Sequence, residues 1–541
     1  MIKTNPLIER PRRLSCPERD LLSFLESLER RPPLTIFLLF ALSLLGFFIF
    51  TAFKGWPLPS LHDEYSYLLS GDTMAHGRFS NPTHPHSDHF ETFHVLQKPT
   101  YASKYPPLPG AFLALGQLLG HPAIGVFLAS SLTIASLYWA LRALLSHGWS
   151  LVASFLAWAQ FAPYSFYSSS YMGGNVSAWG ACILLGAVIR LVQSEKPIPR
   201  HAILLGIAAF ILAGSRPFEG LVTCFGLGLI LMGKFLTVPQ QTKLSWLGNF
   251  FVPASLVFLT VASLILFYNH AVTGNALKLP YSAYESTHSQ TPLFVFGTLG
   301  TNPLPNTPHL QQFEKEFTQS VYQAEKDKGF FQRFAERFEL LLQSFIPFWL
   351  PAAFLLLLSA TASNRWIWFS WAIVLIFMTA SSFTVWFSRH YLGCLLPFLC
   401  LLTCSGAQQL CLFHWKNIDW PFQFFRLALW CLFLLQLVLM AAAPSGRQRA
   451  ELFPGKRLKI EQELRALAGE HLVLVSYGSQ SSVHEEWVYN SSDLDQAKVT
   501  WAHSLGHEKD ENLMRYFSNR RIWRVQVQKE MVSLYENSRV R

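Results

Sequence analysis

Residues 34–53 (LTIFLLFALSLLGFFIFTAF) carry no charge over about 20 positions, enough to cross a hydrocarbon core ~30 Å thick as one helix. Further apolar runs follow near 122–145, 149–165, 174–193, 202–214, 217–235, 249–269, 339–359, 366–385, 391–413 and 424–443. Hydropathy-window reasoning makes these roughly eleven spans. Lipid offers the backbone no hydrogen-bond partners, so runs of this kind fold as helices. Composition agrees: 51% of residues are hydrophobic and 14% charged, against about 25% charged in soluble domains. The first run begins too late and is too long for a cleavable signal peptide and reads as a signal anchor.

The net charge of +10 is placed for a membrane rather than a nucleic acid. Arg10, Arg12, Arg13, Arg19, Arg30 and Arg31 crowd the segment before the first span, as on a cytoplasmic side. No basic stripe with interleaved aromatics offers a nucleic-acid groove. The segment 108–119 (LPGAFLALGQLL) is the one ambiguous element. If it does not cross, the connections with Arg142, Arg190, Lys196, Arg200, Lys234, Lys243, Arg365, Lys416 and Arg426 all face the cytoplasm, so it is read as juxtamembrane.

That topology divides the chain into a basic cytoplasmic tail (1–33), a multispan membrane domain (34–443) and a soluble tail domain (444–541). It also puts three polar regions on the outer face: 54–121, 270–338 and the tail. Within the tail, KRLKIEQELRAL is an amphipathic helix, and LVLVSYG (472–478) and RRIWRVQV (520–527) read as strands. The order helix, strand, helix, strand predicts a small α/β domain. The eight cysteines are Cys16 in the basic tail and seven others in or beside apolar runs, so no disulfide framework is expected.

Chemistry concentrates in the first polar region. Asp63 and Glu64 follow the first span after a short spacer with Pro57 and Pro59. Tyr65, Leu68, Leu69 and Met74 recur at helical spacing after them, and Gly77 is suited to end the helix. The acidic pair therefore sits in a first helical turn near the membrane surface. Acids there complement the helix dipole without any further role, so the neighbourhood must carry a functional reading.

The neighbourhood, DEYSYLLSGDTMAHGRFSNP followed by Lys104-Tyr105-Pro106-Pro107-Leu108, resembles the first outer loop of the GT-C glycosyltransferases. The resemblance is to the group that includes the protein O-mannosyltransferases and the lipid A aminoarabinose transferase. In that family an Asp–Glu pair after the first span precedes a helix, a G-x-[FY]-x-x-P turn and a K-x-P-P-L-type segment; here one residue is inserted between the Lys and the prolines. Beyond about residue 240 the likeness is one of topology alone. It implies transfer of a sugar from a polyprenyl-phosphate donor to a lipid, glycan or protein acceptor at the outer membrane face, usually with inversion.

On that resemblance Asp63 is the base that takes the acceptor hydroxyl's proton, with Glu64 a supporting group. Lys104 matches the family's Lys and would bind the leaving phosphate, with Arg216 (in SRPFEG) and Arg389 (in SRHYLG) next. Arg216 also fits a snorkelling helix-end residue. His390 and Tyr391 are candidate pocket residues, as are Tyr65 and Tyr171. Tyr164, Tyr167, Tyr171, Met172, Gly173 and Gly174 equally suit an interfacial aromatic belt. The resemblance fixes no cofactor. Some members of the family use a divalent ion, and His84, His86 and His89 are the candidate ligands, although H-P-H-x-x-H matches no fixed zinc spacing.

Two other classes compete. A transporter or lipid flippase normally carries ionisable groups near the bilayer midplane and related halves, whereas these runs are nearly charge-free at their centres and no DEYSYLL repeat occurs. A catalytically inactive homologue would keep the acidic pair as a helix cap. Compact loops and the absence of cysteines from the polar regions fit a bacterial inner membrane.

Overall fold

The computed structural model of the protein describes residues 26–345, 349–412, 420–444, 453–478, 481–528 and 531–536. The basic residues before position 26, Cys16, Lys416 and the start of the tail at 445–452 lie outside the described residues. The chain is an integral membrane protein, a helical bundle carrying a small C-terminal sheet domain.

Among the described residues six helices are long and apolar enough to cross a membrane: Pro32–Lys54, Pro122–Leu141, Gly174–Gln193, Pro217–Thr237, Gln240–Thr273 and Arg389–Leu412. The run at 149–165 becomes the 14-residue helix His147–Gln160, and 202–214 becomes the 15-residue Pro199–Ala213. The run expected at 339–359 overlaps the helices Phe330–Phe345 and Trp349–Ser359, and 346–348 lie outside the described residues. Phe330–Phe345 is amphipathic. Its Arg337 is buried, donating from Nε to the Ser381 carbonyl at 2.9 Å and pairing with Glu325 at 3.0 Å. Pro107–Leu118 has only 12 residues, about 18 Å at 1.5 Å per residue, too short to cross. It packs between His62–Ala75 and Pro122–Leu141.

Small residues let the central helices approach closely. Ala129, Ala153, Ala157, Ala178 and Ala181 are all buried in one cluster with Leu and Ile side chains around them, the packing by small side chains that serves where lipid removes the hydrophobic drive.

The tail forms a four-stranded sheet in the spatial order Val499–His503, His471–Tyr477, Arg521–Gln528, Met531–Glu536. The first three are parallel and the last antiparallel. The strands at 471–477 and 521–528 lie within a residue of expectation; those at 499–503 and 531–536 were not foreseen. Alternation sends Leu472, Leu474, Ala502 and Ile522 to one face and Val473, Val475, Trp501 and Val525 to the other. The second face packs on helix Phe453–Ala466, while the first packs on His507–Tyr516 and on Leu69, Phe90, Val95 and Tyr101 of the first loop.

The three polar regions thus meet at one end of the bundle. His89 Nδ1 donates to the His503 carbonyl at 2.7 Å and His503 Nε2 to the Glu91 carbonyl at 3.0 Å. The Glu91 carboxylate accepts from the amides of Asn306 and Thr307 at 2.7 and 3.1 Å, tying in the second region.

Candidate functional site

The helix His62–Ala75 starts after Leu61, whose extended backbone precedes the first turn. Glu64 lies at the third helical position and is 0% exposed. Its Oε1 accepts from the Ser60 amide at 2.9 Å, the Ser60 hydroxyl at 3.0 Å and the Leu61 amide at 3.1 Å. That is half of a capping box, the acid at the third position reaching back to the cap amide. Its Oε2 accepts from the Tyr171 amide at 2.9 Å. Burial pushes its pKa up to about 7 against the pull of these bonds. Glu64 therefore pins the helix start to the 166–173 connection, and both carboxylate oxygens are committed to the protein itself.

Asp63 points elsewhere. Its side chain is 32% exposed, and Oδ2 lies 3.7 Å from His94 Nε2. Oδ1 accepts a short hydrogen bond from the Tyr105 hydroxyl. Burial alone would raise its pKa, but the imidazoles of His94 and His62, the Tyr105 bond and His390 outweigh it and hold the carboxyl below the usual range. Burial lowers the pKa of His62 to about 4 and that of His94 well below the ordinary value, so near neutrality an ionised carboxylate faces neutral imidazoles. The Nδ1 atoms of His62, His94 and His390 are buried without partners among the described residues.

His94 has φ of 63°, a left-handed conformation costly for a side chain other than glycine. It is held there from three sides. Its amide donates to the Tyr284 hydroxyl at 3.1 Å, and its carbonyl accepts from the Lys104 amide at 3.1 Å and the Ser66 hydroxyl at 2.7 Å. Tyr105 is fixed as firmly, stacked on Tyr67 at 4.3 Å with its carbonyl accepting from the Tyr268 hydroxyl at 2.9 Å.

Lys104 is paired. Its side chain is 6% exposed and its Nζ lies 2.9 Å from Glu285 Oε1, with the rings of Tyr281 and Tyr284 at 4.4 and 4.5 Å. Glu285 and both tyrosines come from helix Pro280–His288 of the second polar region. Arg216 is buried at the cap of helix Pro217–Thr237, 4.4 Å over the Tyr391 ring, with its Nε unpartnered among the described residues and the buried Glu219 of the same helix as its charged neighbour. Tyr67, buried and with its pKa pushed up to about 12 mainly by burial, feels both Arg216 and Asp63, so both charges lie within electrostatic reach of its hydroxyl. Arg389 is exposed, and its carbonyl accepts from the Tyr167 hydroxyl at 2.6 Å.

His390 and Tyr391 adjoin Arg216. Their turn lies directly on the 173–175 segment: a Cβ on Gly174 would stand 2.7 Å from the His390 carbonyl oxygen, and one on Gly393 2.2 Å from that of Gly174. Tyr171 is buried, its hydroxyl donating to the Pro57 carbonyl at 2.8 Å, so it braces the loop. Tyr65 lies on the opposite face of its helix, stacked on Tyr489 at 3.9 Å. The expected grouping of Tyr65 and Tyr171 with His390 and Tyr391 is thus divided between separate surroundings.

Two of the three histidines weighed for a metal, His84 and His89, are otherwise engaged. His84 Nε2 lies 3.3 Å from Asp495 and its Nδ1 accepts from the His86 amide at 3.0 Å, while His89 bonds the His503 carbonyl. Among the described residues no group of three His, Cys, Asp or Glu could hold a metal ion. The residues present do not fit one, and no step is derived through it.

Sequence reasoning missed Tyr105, His94 and Glu285 as members of the site. Tyr105 was in view as the residue inserted between Lys104 and the prolines, and that insertion supplies the hydroxyl on Asp63. Nothing local in the sequence links Glu285 to Lys104, 181 positions away.

No family model and no curated protein matches this sequence. The fold is similar to that of ArnT from Cupriavidus metallidurans, solved bound to undecaprenyl phosphate, at 12% identity over 93% of this chain and 98% of that one, TM-score 0.49. It is also similar to the Archaeoglobus fulgidus oligosaccharyltransferase solved with zinc and sulfate, at 11% identity over 90% of this chain and 67% of that one, TM-score 0.47. AglB from Archaeoglobus fulgidus, in complex with an inhibitory peptide and a dolichol-phosphate, aligns at 11% identity over 91% of this chain and 69% of that one, TM-score 0.40.

Proposed function

We propose that this chain is a membrane glycosyltransferase moving a sugar from a polyprenyl-phosphate donor to an acceptor hydroxyl, with Asp63 as the base. The observation that carries the reading is an ionisable carboxylate, Asp63, held by Tyr105 and His94, with the buried Arg216 guanidinium, seated on Tyr391, acting on the same Tyr67. That is the charge pattern the reaction needs. The acceptor oxygen attacks the anomeric carbon and the bond from that carbon to the phosphate oxygen breaks. The electron pair leaves with the phosphate, and the hydroxyl proton passes to Asp63. A single displacement inverts the anomeric centre.

A phosphate departs as an anion and needs no proton donor, so a preorganised cation in a partly dehydrated pocket is the appropriate help. Arg216 suits that role better than Lys104, whose charge Glu285 already balances. A weakly basic carboxylate is adequate because the nucleophile's proton becomes acidic as its bond to carbon forms. Glu64 acts as the clamp that aims Asp63. Arg142, Arg190 and Lys234 lie at or near the far ends of helices that begin beside the site. By the positive-inside rule this supports a site on the outer face of a bacterial cytoplasmic membrane, with the tail domain outside and the N-terminus inside.

The test is Asp63→Asn in proteoliposomes supplied with a polyprenyl-phosphate sugar. Transfer should fall by about a hundredfold or more with donor binding retained. Undiminished turnover by the folded variant would remove Asp63 from the mechanism.

A further inference from the structure

Between Glu285 and Glu314 the second polar region holds no Asp, Glu, Lys or Arg, where a soluble segment carries about one charged residue in four. In the middle of this stretch TPLFVFGTLG (291–300) leaves Leu293, Phe296 and Leu299 exposed, Phe296 at 73%. Neighbouring exposed apolar side chains mark an interaction surface, and the way the loop is fastened identifies what it faces.

The loop is held at the ends of two membrane helices. The Val295 amide donates to the Phe383 carbonyl at 3.0 Å and the Val385 amide to the Leu293 carbonyl at 2.9 Å. It therefore runs antiparallel beside the residues that follow the apolar helix Arg365–Ser381. Val295 turns inward onto Tyr322 and Val385, and Phe296, next along, turns outward. From there the rings continue in series: Phe296 stacks on Phe294 at 5.3 Å, and Phe294 meets Phe218 edge-on at 5.8 Å.

Phe218 lies in the first turn of the spanning helix Pro217–Thr237. Leu221, Phe225, Leu229, Met232 and Leu236 follow it every three or four positions, all more than half exposed. That is the spacing of one helix face, and in a spanning helix it is the stripe that meets hydrocarbon. Phe218 heads the stripe, at the depth where aromatic rings gather at a membrane boundary. The loop thus prolongs the lipid-facing surface past the helix end without a break. Its lack of charge removes the main cost of lowering it into a bilayer.

We infer that 291–300 is a membrane anchor whose Phe296 enters the leaflet bordering the site. The partner of this surface is the acyl and glycerol region of the lipid, not a charged headgroup. The anchor also bears on the site. Asn302 Nδ2 donates to the carbonyls of Glu285 and Ser289 at 3.0 and 2.7 Å. The loop is thereby tied to helix Pro280–His288, whose Glu285 pairs with Lys104, and lipid contact at the tip steadies that helix.

The full chain with p-benzoylphenylalanine at position 296, in phosphatidylcholine nanodiscs, would be irradiated and its adducts identified by mass spectrometry. The same replacement at Leu221, on the lipid stripe, and at Glu508, exposed on the C-terminal domain, sets the two limits. Burying an aromatic ring in hydrocarbon is favourable by about tenfold or more, so lipid adducts at 296 should exceed those at 508 by about that factor. Adding phosphatidylglycerol or raising the salt should leave the yield unchanged, because no charge takes part. A yield at 296 no higher than at 508, a chain-to-chain adduct in its place, or a yield that follows salt or anionic lipid would each overturn the inference. Phe296→Asp should speed amide exchange across 280–288 by about tenfold in the same nanodiscs; unchanged exchange would overturn the link to the site.

Discussion

Tyr105→Phe isolates the contact that most directly shapes Asp63. The ring is buried and stacked on Tyr67 at 4.3 Å, so Phe keeps the packing and removes only the hydroxyl that donates to Oδ1. A hydrogen bond to an ionised acceptor contributes about 1.5–3 kcal/mol. At 1.36 kcal/mol per pH unit, its loss raises the Asp63 pKa by about one to two units. The wild-type carboxyl is held below the ordinary carboxylate range, so its contribution to stability is complete above the unfolded pKa and is lost as pH falls through the folded one. The same titration would switch off a base, which works only when ionised. The assay is transfer from a polyprenyl-phosphate sugar in proteoliposomes across the acidic range. The acid limb of kcat/KM should move upward by about one to two units in Tyr105→Phe, with the neutral-pH rate changing much less. An acid limb that stays in place, or a loss of rate equal at every pH, would show that Tyr105 does not act through the Asp63 proton.

Lys104→Met and Glu285→Gln should each destabilise the folded chain by about 3 kcal/mol, and the double variant by less than the sum, because one partner left alone is a buried unpaired charge. Denaturant unfolding in detergent measures the cycle, and strict additivity would refute the pairing. Glu64→Ala strands the Ser60, Leu61 and Tyr171 amides and should cost about 3 kcal/mol, while its folded fraction keeps more transfer activity than Asp63→Asn. In the C-terminal domain burial raises Glu486 to about 8 and lowers His503 to about 3. The stability from Glu486 is present below its unfolded pKa and is lost as pH rises through about 8. That from His503 is present above its unfolded pKa and is lost as pH falls through about 3. The thermal midpoint should therefore be highest in mildly acid solution and decline on both sides. Glu486→Gln should abolish the alkaline decline, which thermal scans across pH would read directly.

Much of the bundle was legible because apolar runs are local signals. The Asp63 helix could be bounded from its spacing and from Gly77, whose φ of 72° ends it. The separate tasks of the acidic pair were not legible. Adjacent residues on a helix project about 100° apart, which turns Glu64 into the cap and Asp63 towards Tyr105 and His94, and only the position of Tyr171 shows which is which. Lys104 read as a free cation because its neutralising partner belongs to another loop. The strand at 499–503 escaped because VTWAH is too short to show alternation against its flanks.

The contact between Gly174 and Gly393 sets a dimension of the site. Gly174 opens the helix Gly174–Gln193, and Gly393 lies in the turn that brings His390 and Tyr391 to Arg216. Where most helix separations are set by adjustable side chains, this one is set by main-chain atoms in near contact. Even one added methyl would act as a shim, tilting the Tyr391 ring away from the guanidinium. The seat of the Tyr391 ring against the guanidinium is thus gauged by two residues that have no side chain.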